Sequence, residues 1–219
     1  MIELVNITKS YNLTNILKGA SFSFESGSRT AVIGPSGSGK TTLLNLIAGL
    51  IPINKGMIKI GGIVTDTPES SIHPAMRNLG FAFQFPSLWP HLTVKHNILY
   101  GLSSLNKKES HTRYSNMLDA LEITDIADKY PGEISGGQAK RVSLARTMVV
   151  KPRYLLLDEP LNNLDKDLKD KVLNVVRNLV TSENTTLIYV THDLQEAKSI
   201  CDHFCCIEDK KITYAFGEL

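Results

Sequence analysis

Residues Gly34–Thr42 read GPSGSGKTT, and the rest of the chain is best understood outward from them. The pattern is G-x-x-x-x-G-K-T, a phosphate-binding loop. Arg29–Ile33 (RTAVI), just before it, is short, apolar and β-branched, as a buried strand is. Thr42–Leu50 (TLLNLIAGL), just after it, has apolar residues at helical spacing. Strand, glycine loop and helix form the context in which the motif has chemical meaning. Gly34, Gly37 and Gly39 let the backbone curl so that successive N–H groups face an anion, with Pro35, Ser36 and Ser38 between them. The helix adds its positive N-terminal end. Lys40 is expected to reach the β- and γ-phosphates of a nucleotide, and the Thr41 hydroxyl to bind Mg²⁺, with Thr42 beside it. A glycine-rich turn with a chance lysine would not need the strand and helix on either side.

The chain has 219 residues, enough for one large domain or a domain with an inserted lobe. Its 42% hydrophobic content suits a packed core. The 24 Lys and Arg nearly balance the 22 Asp and Glu, so charge gives no reason to expect nucleic acid or an acidic membrane surface as partner. The N-terminus MIELVNITKSYN lacks the apolar centre of a signal peptide. The longest uncharged runs, Thr41–Asn54 and Leu79–Val94, are too short to span a bilayer, so any membrane spans are expected on another chain. Cys201, Cys205 and Cys206 lie near His203, but the spacing does not suit zinc; they read as free thiols in a reducing cytosol.

Met1–Thr8 and Ile16–Glu25 alternate as strands, and Gly61-Gly62 marks a hairpin between Met57–Ile60 and Ile63–Thr65. Leu79–Phe85 (LGFAFQF) reads as a buried strand ending in Gln84 and leads into the proline-punctuated loop PSLWPHLTV. From Val94 to Tyr130 the pattern is helical, which predicts an inserted helical lobe over about residues 86–150 of a single domain 1–219. Ser135 is a good N-cap for the helix that follows, up to Val150. Tyr154–Leu157 is a buried strand delivering Asp158-Glu159-Pro160. Lys166–Val180 is helical, with Lys166/Asp170 and Asp167/Lys171 spaced as pairs on a solvated face. Thr185–Val190 is a strand delivering Thr191-His192-Asp193, and a helix and two short strands finish the chain. The fold class is α/β: a mainly parallel sheet, an antiparallel N-terminal β subdomain and an α-helical insert.

In a parallel sheet, ligands bind at the carboxyl ends of the strands. Strands ending near Ile33, Phe83, Leu157 and Val190 therefore bring together the phosphate loop, Gln84, Asp158-Glu159 and His192. Lys40, Thr41 and Asp158 can neutralise a nucleotide triphosphate with its Mg²⁺. Glu159, next to the metal-binding carboxylate, is placed to polarise a water for hydrolysis. His192 can hold the γ-phosphate and the water, and Gln84 can sense the Mg²⁺ or the water. Tyr11, an aromatic in a polar stretch, is either a base-stacking residue or an anchor.

With these residues in place, the chain resembles the nucleotide-binding subunit of ABC transporters over essentially its whole length. The specific match is Ser135-Gly136-Gly137-Gln138, which looks like the ABC signature. The resemblance implies an ATP hydrolase with ATP and Mg²⁺ as cofactors. It implies that Tyr11 stacks on adenine, that Gln84 couples the site to the membrane partner, that Glu159 is the catalytic carboxylate, that Asp165 is the acid of the D-loop and that His192 is the switch histidine. It implies a head-to-tail homodimer, or pairing with a like subunit, with each ATP between Lys40 of one copy and Ser135 and Gly137 of the other. It implies integral membrane subunits, a substrate-binding protein in the full system, and a place in the cytoplasm on the inner face of the membrane. Ile134, Ala139-Lys140 and Asn162-Asn163 depart from the residues common in the family.

Pro86–Leu102 looks like the corresponding loop of bacterial importer ATPases, and ending at Leu219 the chain is similar to the short versions of these. Import is therefore expected ahead of export or lipoprotein release. Trp89, Pro90 and Leu92 either lie near a groove for the membrane subunit or pack inside the helical lobe. A soluble ABC ATPase acting on DNA or ribosomes usually carries coiled coils or a second cassette, and neither is seen.

Overall fold

In a computed structural model the protein is described over residues 1–162 and 164–214. Two sheets form. Strands β1 (Ile2–Tyr11), β2 (Thr14–Phe24), β4 (Lys55–Ile60) and β5 (Ile63–Asp66) make an antiparallel sheet in the order β2-β1-β4-β5. Gly61 and Gly62, both at positive φ, turn β4 into β5, as a two-residue hairpin turn requires.

The second sheet has the order β10-β9-β3-β8-β7-β6. It contains β3 (Arg29–Ile33), β6 (Leu79–Ala82), β7 (Tyr154–Asp158), β8 (Thr186–Val190), β9 (His203–Glu208) and β10 (Lys211–Tyr214). β3, β6, β7, β8 and β9 run parallel, and only β10 turns back. The carboxyl ends of β3, β6, β7 and β8 therefore share one edge. The central strands β7 and β8 are buried at every position, which is why they read as continuous apolar runs rather than alternating ones.

The parallel sheet has a core on each face. Helix α1 (Lys40–Ala48) and the antiparallel sheet pack on one face, where Val32, Leu156, Ile188 and Val190 meet Leu43, Ile47, Ile2 and Phe24. The other face, with Ala31, Leu155, Leu157 and Tyr189, is covered by α2 (Val94–Leu99), α3 (Lys107–Ala120), α4 (Gly136–Met148), α5 (Lys166–Ser182) and α6 (Leu194–Ile200). Between β6 and β7 the described elements are all helical, including short 3₁₀ turns at Thr124–Ile126 and Pro131–Glu133. These helices share one buried cluster with the sheet.

Three local expectations shift. β6 stops at Ala82, and Phe83 and Gln84 bend away. The stretch 94–130 breaks into α2 and α3. On α5, Lys171 reaches Glu122 (2.6 Å) across to the end of α3, and Lys169 reaches Glu196 (2.5 Å) on α6. Lys166, Asp167, Asp170 and Lys171 are all exposed, as a solvated face requires, and it is the partner of Lys171 that differs, lying beyond α3 rather than along its own helix. Cys201 and Cys205 are buried free thiols whose pKa burial pushes up, in keeping with core roles.

Candidate active site

The phosphate loop leaves β3 in the middle of the parallel sheet. Gly39 caps α1 at φ 107, and a Cβ there would lie 2.7 Å from Ile16 Cγ2, so only glycine fits. Lys40 is buried and its ammonium folds back onto the loop, donating to the carbonyls of Gly34 (2.7 Å) and Pro35 (2.9 Å). Burial lowers its pKa, opposed by the carboxylates of Glu159 and Asp158. The lysine is thus held across the mouth of the loop. Ser36, Gly37, Gly39, Lys40, Thr41, Thr42, Gln84 and Glu159 line a cavity of about 300 Å³ there.

β7 delivers the two carboxylates. Asp158 is buried, and burial raises its pKa; a hydrogen bond with Thr41 and the charge of Lys40 work against that rise, while Glu159 adds to it. Thr41, Asp158 and the Gln84 amide form a hard-oxygen donor set, which fits Mg²⁺ rather than a softer metal. Among the described residues no group of three His, Cys, Asp or Glu could hold a metal alone, so the remaining ligands would come from water and phosphate.

Glu159 is the meeting point. Gln84 Nε2 donates to its Oε2 (3.3 Å), Asn162 Nδ2 donates to the same oxygen, and His192 Nδ1 lies 3.7 Å from Oε1. Glu159 also sits at φ 47, an uncommon conformation for a non-glycine residue. Its N–H donates to the Val190 carbonyl (2.9 Å), which ties β7's end to that of β8 and so to His192. The sequence singled out Glu159, Gln84 and His192. The contribution of Asn162 went unseen, since the pair Asn162-Asn163 registered only as a departure; Asn163 lies outside the described residues.

Ser135 and Gln138 close a capping box at the start of α4. The Gln138 N–H donates to Ser135 Oγ (3.2 Å), and the Ser135 N–H to Gln138 Oε1 (2.9 Å). Gly136 and Gly137 open that helix without side chains, beside a second cavity of about 280 Å³ lined also by Gln84, Phe85, Pro86, Lys140 and Asn162. Asp165 caps α5 through the Leu168 N–H (3.0 Å). Tyr11, at the end of β1, is 47% exposed, with the Lys9 ammonium 5.0 Å from its ring centre, and does not line the 300 Å³ cavity.

Residues 86–93 are braced from within. Buried Asn97 donates to the carbonyls of Trp89 (3.2 Å), Leu92 (3.0 Å) and Thr93 (3.1 Å) and accepts from the Trp89 N–H (3.0 Å). Trp89 packs between Tyr100 and the Arg146 guanidinium. Trp89 is half-buried on these two side chains, and Phe85 just ahead of it is 76% exposed.

The family model described as "ABC transporter" matches residues 17–162. The chain is 38% identical over 220 residues to the sulfate/thiosulfate import ATP-binding protein CysA of Escherichia coli strain K12, covering 98% of this chain and 59% of the relative. It is 36% identical over 215 residues to the Fe(3+) ions import ATP-binding protein FbpC of Fusobacterium nucleatum, covering 97% and 57%. The chain therefore spans less than two thirds of the length of these relatives. It superposes on a dimeric structure of MJ0796, a bacterial ABC transporter cassette, with TM-score 0.89 and 28% identity over the whole of both chains. A dimeric post-hydrolysis state of the same cassette, bound to ADP and Pi, gives TM-score 0.88.

Proposed function

The chain belongs to the ABC transporter family, and on that premise we propose that it binds and hydrolyses ATP to drive a membrane transporter, as one of two cassettes that close on each other. The observation that carries this is the convergence on Glu159 of Gln84, Asn162 and His192, at the edge of the cavity that Lys40 and Thr41 line.

Each side chain has a task. Lys40 exchanges the carbonyls of Gly34 and Pro35 for the β- and γ-phosphate oxygens, so its charge is already in position when ATP arrives. Tyr11 stacks on the adenine. Thr41, Asp158 and Gln84 would hold Mg²⁺, which would supply positive charge against the phosphates. Glu159 accepts the proton of the attacking water, while His192 fixes the water against the γ-phosphate. Ser135, Gly136, Gly137 and Gln138 offer the opening of α4 to the ATP held by the other copy, where N–H groups and a hydroxyl meet a phosphate. Asp165 lies on the loop between Glu159 and α5 and contributes at the same junction.

The relatives named above are import proteins, and import is the direction proposed here. Among the described residues no helix is long and apolar enough to cross a membrane. Separate integral membrane subunits then carry the cargo path, with a substrate-binding protein delivering cargo and this chain peripheral on the cytoplasmic face. Exposed Phe85, between Gln84 and the braced loop, suits contact with such a subunit.

The test is Glu159→Gln, which keeps shape and removes the negative charge. ATP binding should persist, turnover should fall roughly 10²–10⁴-fold, and an ATP-bound dimer should accumulate on a sizing column. Turnover near the wild-type rate would move the general base away from Glu159.

A further inference from the structure

Lys140 lies one turn into α4, on the same helix that opens with Ser135-Gly136-Gly137. Its side chain does not run out to solvent. It crosses to the end of β7, where Nζ donates to the backbone carbonyl of Glu159 (3.3 Å). Burial works against its charge, and the carboxylates of Glu159 and Glu196 work for it. An ammonium kept in such a place, with no carboxylate in direct contact among the ion pairs described, calls for a role.

The role follows from what Glu159 needs. A non-glycine residue at φ 47 holds that conformation only when its surroundings fix it. The side chains of Gln84, Asn162 and His192 surround the carboxylate and do not hold the peptide groups on either side of it. The Glu159 N–H is fixed by the Val190 carbonyl, and its carbonyl accepts from Lys140, with a weaker contact from the Asn162 N–H at 3.5 Å. The lysine donor is charged, and charge-assisted bonds are the stronger kind. Lys140 also joins α4, which belongs to the helical insert, to the strand end carrying the carboxylate.

We propose that Lys140 is a positioning residue for Glu159, pinning its left-handed backbone from the signature helix and so aiming the carboxylate at the water. The inference rests on the hydrolysis proposed above. Because α4 also presents Gly136 and Gly137 outward, a shift of the signature helix on one copy would be felt at the carboxylate of that same copy. The opening turn of the helix would then serve two different ATP sites.

Lys140→Met keeps the length of the stem and removes the charged donor. ATP binding and KM should stay within about twofold, thermal stability should be little changed, and kcat should fall roughly tenfold. Lys140→Arg, which restores a charged donor, should recover most of that rate. Because Lys140 acts through Glu159, Lys140→Met added to Glu159→Gln should lower the single-turnover rate by less than twofold further. Full kcat in Lys140→Met, no recovery in Lys140→Arg, or an undiminished tenfold loss in the Glu159→Gln background would each overturn the proposal. Wild-type protein measured alongside separates the two levels: an inactive wild type overturns the hydrolysis reading and this one with it, whereas an active wild type and an equally active Lys140→Met overturn this one alone.

Discussion

Asp158 carries its charge against the preference of its surroundings. Burial raises its pKa and the neighbouring Glu159 raises it further, while Thr41 and Lys40 only partly compensate. A carboxylate whose folded pKa lies above its unfolded value destabilises the fold wherever it is ionised in both states. That destabilisation is present at neutral pH and disappears as pH falls to the unfolded carboxylate range near 3.9. Asp158→Asn keeps a partner for Thr41 and removes the charge. The variant should therefore melt higher than wild type at pH 7 without nucleotide, with the difference shrinking toward pH 4, while Mg²⁺-dependent hydrolysis is lost. A lower melting temperature at pH 7 would show that the charge is paid for locally, by Lys40. At this scale the sequence was informative. Asp158, Glu159 and His192 lie at or just past the ends of apolar strands, and Lys40 ends the glycine loop that leaves another, so their common edge could be inferred without coordinates. Asn162 and Lys140 could not be inferred, because what matters is which carbonyl or carboxylate their long side chains reach, and no local period encodes that.

Between elements, the structure depends on a buried ion pair. Arg77, just ahead of β6, makes a two-bonded contact with Asp66 at the end of β5 (2.6 and 2.8 Å), and both side chains are essentially inaccessible. The same guanidinium donates to the Ile47 carbonyl near the end of α1 (2.9 Å) and to the Ile72 carbonyl (2.7 Å). The clamp thus joins the antiparallel sheet, the phosphate-loop helix and the strand leading to Gln84. Arg77→Met leaves Asp66 as an unpaired buried charge and should cost about 3–5 kcal/mol in denaturant unfolding. Adding Asp66→Asn should return part of that loss, since the two act as a unit. A loss below 1 kcal/mol would mean that water reaches Asp66 when the arginine is gone. Neither residue stood out in the sequence. Asp66 ends a strand and Arg77 follows eleven residues later, and the segment between them folds back through the Asp66–Ser71 bridge and the Ile72 N–H bond to the Thr65 carbonyl, a closure that no periodic pattern encodes. The early end of β6 was also hidden: Phe83 continues the apolar alternation of LGFAF, yet its ring stacks on Phe81 (4.2 Å between centroids) after the backbone has already bent.

At the scale of the whole molecule, each copy carries one phosphate loop and one signature, on different elements. Lys40 and Glu159 line one cavity, Gly136 and Gly137 the other, and Gln84 borders both. A site assembled from two copies uses each feature once per nucleotide, and the two-fold symmetry of such a pair generates two equal sites. The two MJ0796 structures that this chain matches over their full length are dimeric. What the sequence conveyed of this came from the signature motif. The N-cap role of Ser135 was legible too; what the sequence could not convey is that Gln138 returns the bond, its side chain accepting from the Ser135 N–H.

The most direct test of the shared site is hydrolysis by Gly137→Asp. A Cβ at Gly137 lies 3.2 Å from Leu164 Cδ2, a contact that a leucine methyl can relieve, so the fold should survive. The added carboxylate would oppose the γ-phosphate of ATP held by the other copy. A chain that binds ATP with wild-type affinity, because Lys40, Thr41 and Tyr11 are intact, yet neither dimerises on ATP nor hydrolyses it, is the predicted result. Normal hydrolysis by Gly137→Asp would contradict the account: the signature would then play no part in completing the site on a second copy.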